Sequence, residues 1–354
     1  MTQPLRLPDG QARMIILCDC DPDAVPYGGL PHDTRQPLKW RGVREGIPRL
    51  VEALDGIESE TGRRINLTWC VRSDLQMKEI YGDAAWPYLE FRELWQGLES
   101  RGDKIAWHPH VWRWSDEHHC WCQEIRDDAW IEECLEEGYQ ALCRAVGRPV
   151  ESCRMGWEFH NNASMRTVDR LGVRVDLSAT PGHYCEGTGD RGSIFHKYTD
   201  WRGTPSRPYR PSLEDYRRPA RADERALGIM EVPLWERVGW IWRGIGRVYV
   251  AAKHLARGRA KEAFFGRKET MFHIPAFTMP QMIFASSLGQ ARGTDLGHGP
   301  VVVAFHCDEL LRSEGLRGRI YALANATRNA RAVLAMGTMT TPTGFLSEAG
   351  AGCL

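Results

Sequence analysis

The chain has 354 residues, 42% hydrophobic and 26% charged, a balance that supports one large α/β domain or two smaller ones and excludes wholesale disorder. Lys plus Arg and Asp plus Glu are both 46, so no global field draws in nucleic acid or an anionic membrane, and a ligand must be recognised by a local site. Eleven cysteines without a regular framework read as reduced thiols in a cytoplasm, and no stretch approaches the roughly 20 apolar residues of a membrane helix.

The first strand is Met14 to Cys18, a run too short and too soon followed by acids to be a secretory signal. Apolar residues at helical spacing follow from Val43 to Ile57. Ile65, Leu67, Trp69 and Val71 alternate as a half-buried strand does, and Phe91, Leu94, Trp95 and Leu98 return to the helical period. Lys104 to His108 predicts a third strand. The helix behind it carries Ile131, Cys134, Leu135, Tyr139, Leu142 and Val146 on one face, and Gly147 and Pro149 stop it. The alternation continues through a strand at Val150 to Cys153, a helix from Ala163 to Leu171, and a strand carrying Val173, Val175 and Leu177.

From about Cys185 to Ala226 the pattern lapses into Gly, Pro, Tyr and Arg, which predicts a long insertion rather than a linker. Strands are predicted again at Ile229 to Trp235, near Phe272 to Phe277, and at Val301 to Phe305. A basic amphipathic helix over Val248 to Phe265 and a last helix around Leu316 to Leu334 lie between and after them, before a Gly- and Thr-rich tail over 341–354. Strands and helices in alternation predict a parallel sheet with right-handed crossovers. The expected fold is α/β: a distorted (β/α) barrel of about seven parallel strands, forming a single domain over 1–340. Acids, not a Gly-rich phosphate loop, follow the first strand, which argues against a dinucleotide fold.

Chemistry-bearing residues gather just after the predicted strands. Asp19, Asp21 and Asp23 follow the first, His108 and His110 the third, and Arg154 the fourth; Asp176 ends the fifth and His306 the last. In β/α folds those strand ends share one face, so these residues can converge. His108 and His110 are two apart, with Pro109 favouring an extended chain that points both imidazoles the same way. Two histidines and one carboxylate from Asp19 to Asp23, with positions left for water, are a set typical of catalytic zinc or iron(II).

Five segments carry a family resemblance: CDCDPD (Cys18 to Asp23), IAWHPHVW (Ile105 to Trp112), CRMGWEFHNN (Cys153 to Asn162), VDLSATPG (Val175 to Gly182) and VVVAFHCDEL (Val301 to Leu310). In order and spacing they resemble the five motifs of polysaccharide deacetylases, carbohydrate esterase family 4, over about Met14 to Leu311. The resemblance implies a barrel enzyme that removes an N-acetyl group with a water activated by a divalent ion, most often Zn2+, with Fe2+ or Co2+ as alternatives. It implies Asp19 as general base, Asp21, His108 and His110 as metal ligands, His306 as general acid, Arg154 as the residue that orients the base, and Asp176 as the acid that holds His306. Two features depart from the family. Its adjacent aspartates are here Asp-x-Asp, which leaves base and ligand interchangeable, and Trp112 stands where the second histidine is usual, so that His110 must serve.

The substrate expected is a small molecule or oligosaccharide bearing an acetamido group, with Trp112, Trp157 and Asn161 on the motif loops as contacts, since sugar rings stack on indoles. Arg202 to Arg225 offer charge for an anionic part of it. Two other readings stay open: hydrolysis of a different C–N bond, in a ring amide or N-formyl group, and a metal-free carbohydrate-binding protein. His118, His119, Cys120 and Cys122 lack a second paired half and read as no zinc site, in a helical or loop region. Cys18 and Cys20 read as packing on the barrel floor.

Overall fold

Taken in chain order, β1 (Ala12–Cys20) leads through a π turn (Gly42–Gly46) into α1 (Ile47–Thr61). β2 (Thr68–Arg72) leads into α2 (Leu75–Tyr81), α3 (Trp86–Glu90) and α4 (Arg92–Ser100). β3 (Lys104–His108) is followed by a hairpin of β4 (Trp112–Ser115) and β5 (Cys120–Gln123), then by α5 (Asp128–Val146). β6 (Ser152–Cys153), α6 (Asn162–Arg170) and β7 (Val175–Asp176) come next. A second hairpin, β8 (Tyr184–Thr188) and β9 (His196–Asp200), opens the insertion, and β10 (Met230–Glu231) closes it. β11 (Val301–His306), β12 (Gly337–Met339) and α7 (Pro342–Gly350) complete the order. This computed structural model describes residues 12–25, 29–30, 32–188, 196–234, 300–311 and 337–350. The expected elements at 248–265, 272–277 and 316–334 lie outside the described residues.

Short polar side chains start the helices by accepting from backbone N–H groups that have no intrahelical partner. Asp23 accepts from Gly42 N at 2.8 Å and Arg41 N at 2.9 Å at the approach to α1, so this third acid of the first motif serves the backbone. Asp74 caps α2, Asp127 caps α5, and Asn161 with Ser164 forms a capping box on α6. Gly147, at φ +83°, ends α5 in the left-handed conformation that a Cβ disfavours.

The strands run in the order β10-β7-β6-β3-β2-β1-β11, all parallel, and β12 adds to β1. The seven-strand path is curled into a half-barrel, as the alternation predicts. Its pleat sorts residues by parity. Ile15 and Leu17 of β1 pack inside with Cys70, Ala106, Val175, Leu177, Val232 and Val302. Met14, Ile16, Cys18 and Cys20 pack outward with Leu50, Leu54, Trp95, Leu98, Ile131 and Leu135 of the helices. Cys18 and Cys20 therefore back onto the helix layer and not the barrel floor.

Two expectations are corrected here. The Gly- and Thr-rich end is not a free tail over its described part: β12 pairs with β1, and Phe345 of α7, 1% exposed, plugs the barrel interior against Ile15 and Leu17. Three arginines of the insertion are neutralised within it. Arg202 pairs with Asp200, Arg217 with Asp200 and Asp215, and Arg218 with Glu224. These pairs, and the exchange of hydrogen bonds between Gln123 and the backbone of Tyr198, tie the insertion down and leave those three charges little to offer an anion.

Candidate active site

The interior parity carries on past the apolar floor. Leu17 is followed by Asp19, Cys70 by Arg72, Ala106 by His108 and Ala304 by His306, while Arg154 lies one residue beyond the outward-packed Cys153. Asp19 and His306 are register partners on adjacent strands, as are Arg72 and His108. Asp21 and His110 sit two residues beyond the strand positions, on the same side. Six of the residues predicted from sequence thus converge: Asp19, Asp21, His108, His110, Arg154 and His306.

Asp19 is buried and held by Arg154, whose Nε donates to both carboxylate oxygens at 2.9 Å. Burial alone would push the Asp19 carboxyl up; Arg154, with His108 and His306 behind it, outweighs that and keeps it below the usual carboxylate range. Arg154 also donates to Leu177 O at 2.9 Å and lies 3.4 Å from Glu158.

Both carboxylate oxygens of Asp21 and the Nε2 atoms of His108 and His110 face one another across the mouth of the barrel. Asp21 Oδ2 is 3.2 Å from His108 Nε2, His108 Nε2 is 3.3 Å from His110 Nε2, and His110 Nε2 is 3.4 Å from Asp21 Oδ1. Ligand atoms bound tetrahedrally at ~2.0–2.2 Å from a zinc ion stand roughly 3.3 Å apart, so these separations suit a shared divalent ion. His108 is turned for it: Nδ1 donates to Arg154 O at 2.7 Å, which leaves the Nε2 lone pair directed at the triad. Burial would raise Asp21, yet the two imidazoles hold it well below the usual range. Burial and the Arg72 guanidinium push His110 down to about 4, so its ring is neutral. Among the described residues, Asp21, His108 and His110 are the cluster of such groups close enough to share an ion.

Several contributors escaped the sequence reading. Arg72 is buried, donates from Nη1 to Asp21 Oδ1 at 2.9 Å and from Nη2 to Gln76 at 2.6 Å, and pairs through Nε with Asp74. Asp74 in turn accepts from His110 N at 3.0 Å. Arg72 ends β2, so the strand-end rule that selected the other residues would have found it.

Gly156 lets His110 sit where it does. A Cβ there would lie 2.0–2.2 Å from the imidazole atoms. The next two residues, Trp157 and Glu158, have φ of +55° and +52°, left-handed values that are uncommon outside glycine. This turn lays Trp157 against Trp112, ring centroids 4.5 Å apart. Gly156→Ala is expected to displace His110 and to destabilise the protein by about 1–3 kcal/mol through overpacking, measurable by chemical denaturation; an unshifted midpoint would show that the loop yields freely.

Other expected site residues are placed differently. Asp176 does not reach His306. It alternates with the inward Val175 and Leu177 and so points outward, where His160 Nε2 lies 3.0 Å away and Ser178 Oγ and Cys153 Sγ donate to it. Burial would raise it, and His160 and its donors keep it low; the neighbouring Glu231 carboxyl is pushed well up by burial and by Asp176. His160 was not anticipated because its position inside the third motif says nothing of the sheet face it meets. Asn161 is drawn into the α6 cap and donates to Asp128 at 2.8 Å, so both ends of its amide are engaged away from the triad. Trp112 is 2% exposed, beneath His32 (stacked at 4.8 Å) and Trp157. Trp157 and Trp114, which pack with it, are partly buried and offer indoles nearer the surface. Trp107 and Trp201 are core residues. His118 to Cys122 fall on the β4–β5 hairpin, where Cys120 and Cys122 Sγ are 3.7 Å apart.

A scan of the sequence against protein-family models gives no match, and a search of curated proteins gives none. Solved structures do match. One is a structure assigned as a glycoside hydrolase/deacetylase from Parabacteroides distasonis, 15% identical over 98% of this chain and 73% of that one, with a TM-score of 0.58. Another is assigned as a polysaccharide deacetylase from Mycobacterium smegmatis, 16% identical over 99% and 94%, with a TM-score of 0.51. Puue allantoinase matches at 12% identity over 99% and 95%, also with a TM-score of 0.51. At these identities the likeness is one of fold, and no described helix is long and apolar enough to cross a membrane. The chain has the polysaccharide-deacetylase-like fold, with a cluster of three histidines, two aspartates and two arginines at the carboxyl ends of its strands.

Proposed function

We propose that this protein is a metal-dependent hydrolase that removes the N-acetyl group from an acetamido sugar or a sugar-containing small molecule. The observation that carries the reading is the cluster of Asp21, His108 and His110, whose ligand atoms, one from each, all lie within 4.8 Å of one another, beside the buried carboxylate of Asp19. A divalent ion held by those three residues would supply Lewis acidity, polarising the substrate carbonyl and bringing the pKa of water towards ~7.

The chain's own groups account for the remaining needs of amide hydrolysis. Asp19, ionised and aimed by Arg154, accepts the proton of the attacking water. His306 lies 3.9 Å from Asp19 and 3.7 Å from Asp21, with its side chain 44% exposed towards the mouth. Desolvation opposes charge on that ring, but Asp19 and Asp21, with Asp308 and Glu309 behind, raise it to about 9. It therefore carries a proton for the departing nitrogen. Trp157 provides an apolar face for a sugar ring beside the triad.

The test couples metal quantification to product analysis. Protein purified without chelator should carry about one equivalent of zinc, cobalt or iron and should release acetate from members of a panel of small N-acetylated sugars. Chelation should stop the release and added metal restore it. Release of formate, or ring opening without acetate, would move the reaction to another C–N bond. Protein that can be loaded with none of these metals would favour the carbohydrate-binding reading instead.

A further inference from the structure

The residue standing in the place of the family's second histidine makes a contact that bears on the proposed centre. Trp112 Nε1 donates to His110 Nδ1 at 2.6 Å. An indole N–H is a donor only, so Nδ1 must present its lone pair to it. A neutral imidazole has one lone-pair nitrogen and one N–H, and His110 Nε2 therefore carries the hydrogen. That atom faces His108 Nε2 at 3.3 Å and Asp21 Oδ1 at 3.4 Å. His108 has the opposite arrangement, because its Nδ1 gives its hydrogen to Arg154 O.

The result is a directional chain: Trp112 N–H to His110, His110 Nε2–H towards the His108 lone pair, His108 Nδ1–H to the Arg154 carbonyl. Each donor along this chain has an acceptor, and His108 Nε2 also lies 3.2 Å from Asp21 Oδ2. A metal ion needs the Nε2 lone pair of both rings. For His110 to supply one, its hydrogen must leave Nε2, and a ring that stays neutral then carries it on Nδ1, where it opposes the indole N–H. The indole is not free to turn aside, since His32 stacks on it and Trp157 abuts it at 4.5 Å. The backbone of Gly156 lies close against the His110 ring, where a Cβ would collide with it.

We propose that Trp112 is a positioning residue that stabilises the ion-free form of the centre by occupying the His110 lone pair, and so sets how tightly the site takes a divalent ion. The proposal rests on the reading of Asp21, His108 and His110 as an ion-binding triad. Removing the indole N–H should release His110 to act as a ligand.

The experiment is competition for Zn2+ against a chromophoric chelator, with the absorption spectrum of the Co2+ form as a second readout, on wild type, Trp112→Phe and His108→Ala. Trp112→Phe is expected to bind Zn2+ at least about ten-fold more tightly, equivalent to 1.4 kcal/mol, and its Co2+ spectrum to change as the His110 ring is freed from the indole N–H. Unchanged or weaker affinity in folded Trp112→Phe, with binding by the wild type still dependent on His108, overturns the role of Trp112 and leaves the triad reading standing. If neither wild type nor Trp112→Phe binds zinc or cobalt in a His108-dependent way, the triad reading falls and the inference with it. Should Trp112→Phe fail to fold, long-range proton–nitrogen NMR of the chelator-treated wild type decides: a hydrogen on Nε2 of His110 supports the proposal, and one on Nδ1 overturns it.

Discussion

Asp19→Asn and His306→Ala should each lower kcat by about 10²–10⁴, the usual contribution of a positioned base or acid, while leaving the metal content as in the wild type. Asp19→Asn is the sharper of the two because it is isosteric. The amide oxygen can still accept from Arg154, so the loss isolates the negative charge that would draw the proton from water. In the His306 variant the missing group is the proton donor at the mouth, and its half-exposed position means that truncation leaves the core undisturbed. Steady-state kinetics on the substrate found by product analysis, with zinc stoichiometry on the same preparations, checks both. Wild-type turnover in either variant would remove that residue from the mechanism; loss of metal together with activity would exchange the roles of Asp19 and Asp21.

Arg154→Met should produce the largest loss of stability, about 3–5 kcal/mol, because it strands the buried charge of Asp19 without its partner. The pH dependence gives the sign. In the wild type the folded-state pKa of Asp19 is lowered, so its ionisation adds stability above the unfolded-state value, and this is lost as pH falls through the folded one. In the variant, burial without Arg154 raises the same carboxyl, so the folded state keeps a proton that the unfolded chain gives up, and stability falls as pH rises past the unfolded value. The stability gap between the two proteins should therefore open below about pH 4, as the wild-type carboxyl ionises, and widen further above it until the variant's raised carboxyl titrates. Chemical denaturation at acid and neutral pH measures it. A gap independent of pH would mean that Arg154 acts through the Leu177 carbonyl rather than through a carboxylate.

Much of the architecture was readable in advance because it rests on local pattern. The β3 boundaries, Lys104 to His108, agree with the predicted strand, and the long helix with Ile131, Leu135 and Leu142 on its buried face is α5. The shorter pieces were harder. α2 is seven residues, too brief to declare a period, and its legible signal was Asp74 as a cap. The two hairpins are not legible as strands because four or five residues are too few to establish a period, even where, as in Trp112 to Ser115, apolar and polar residues alternate.

What the sequence by itself determined was the parallel β/α order and the placing of acids, imidazoles and a guanidinium at the strand ends. That much follows from periodicity and from the shared polarity of parallel strands. Tertiary structure alone decided which of them meet. In a parallel sheet buried on both sides, neither face is polar enough to mark the interior, so Asp19 and Asp176 look equivalent in sequence, yet one points to the triad and the other to His160. The contact between Trp112 and His110 is two residues apart in the chain, and the fold made it: the β4–β5 hairpin, His32, Trp157 and the bare backbone of Gly156 hold both rings, and so decide which nitrogen of His110 faces the site.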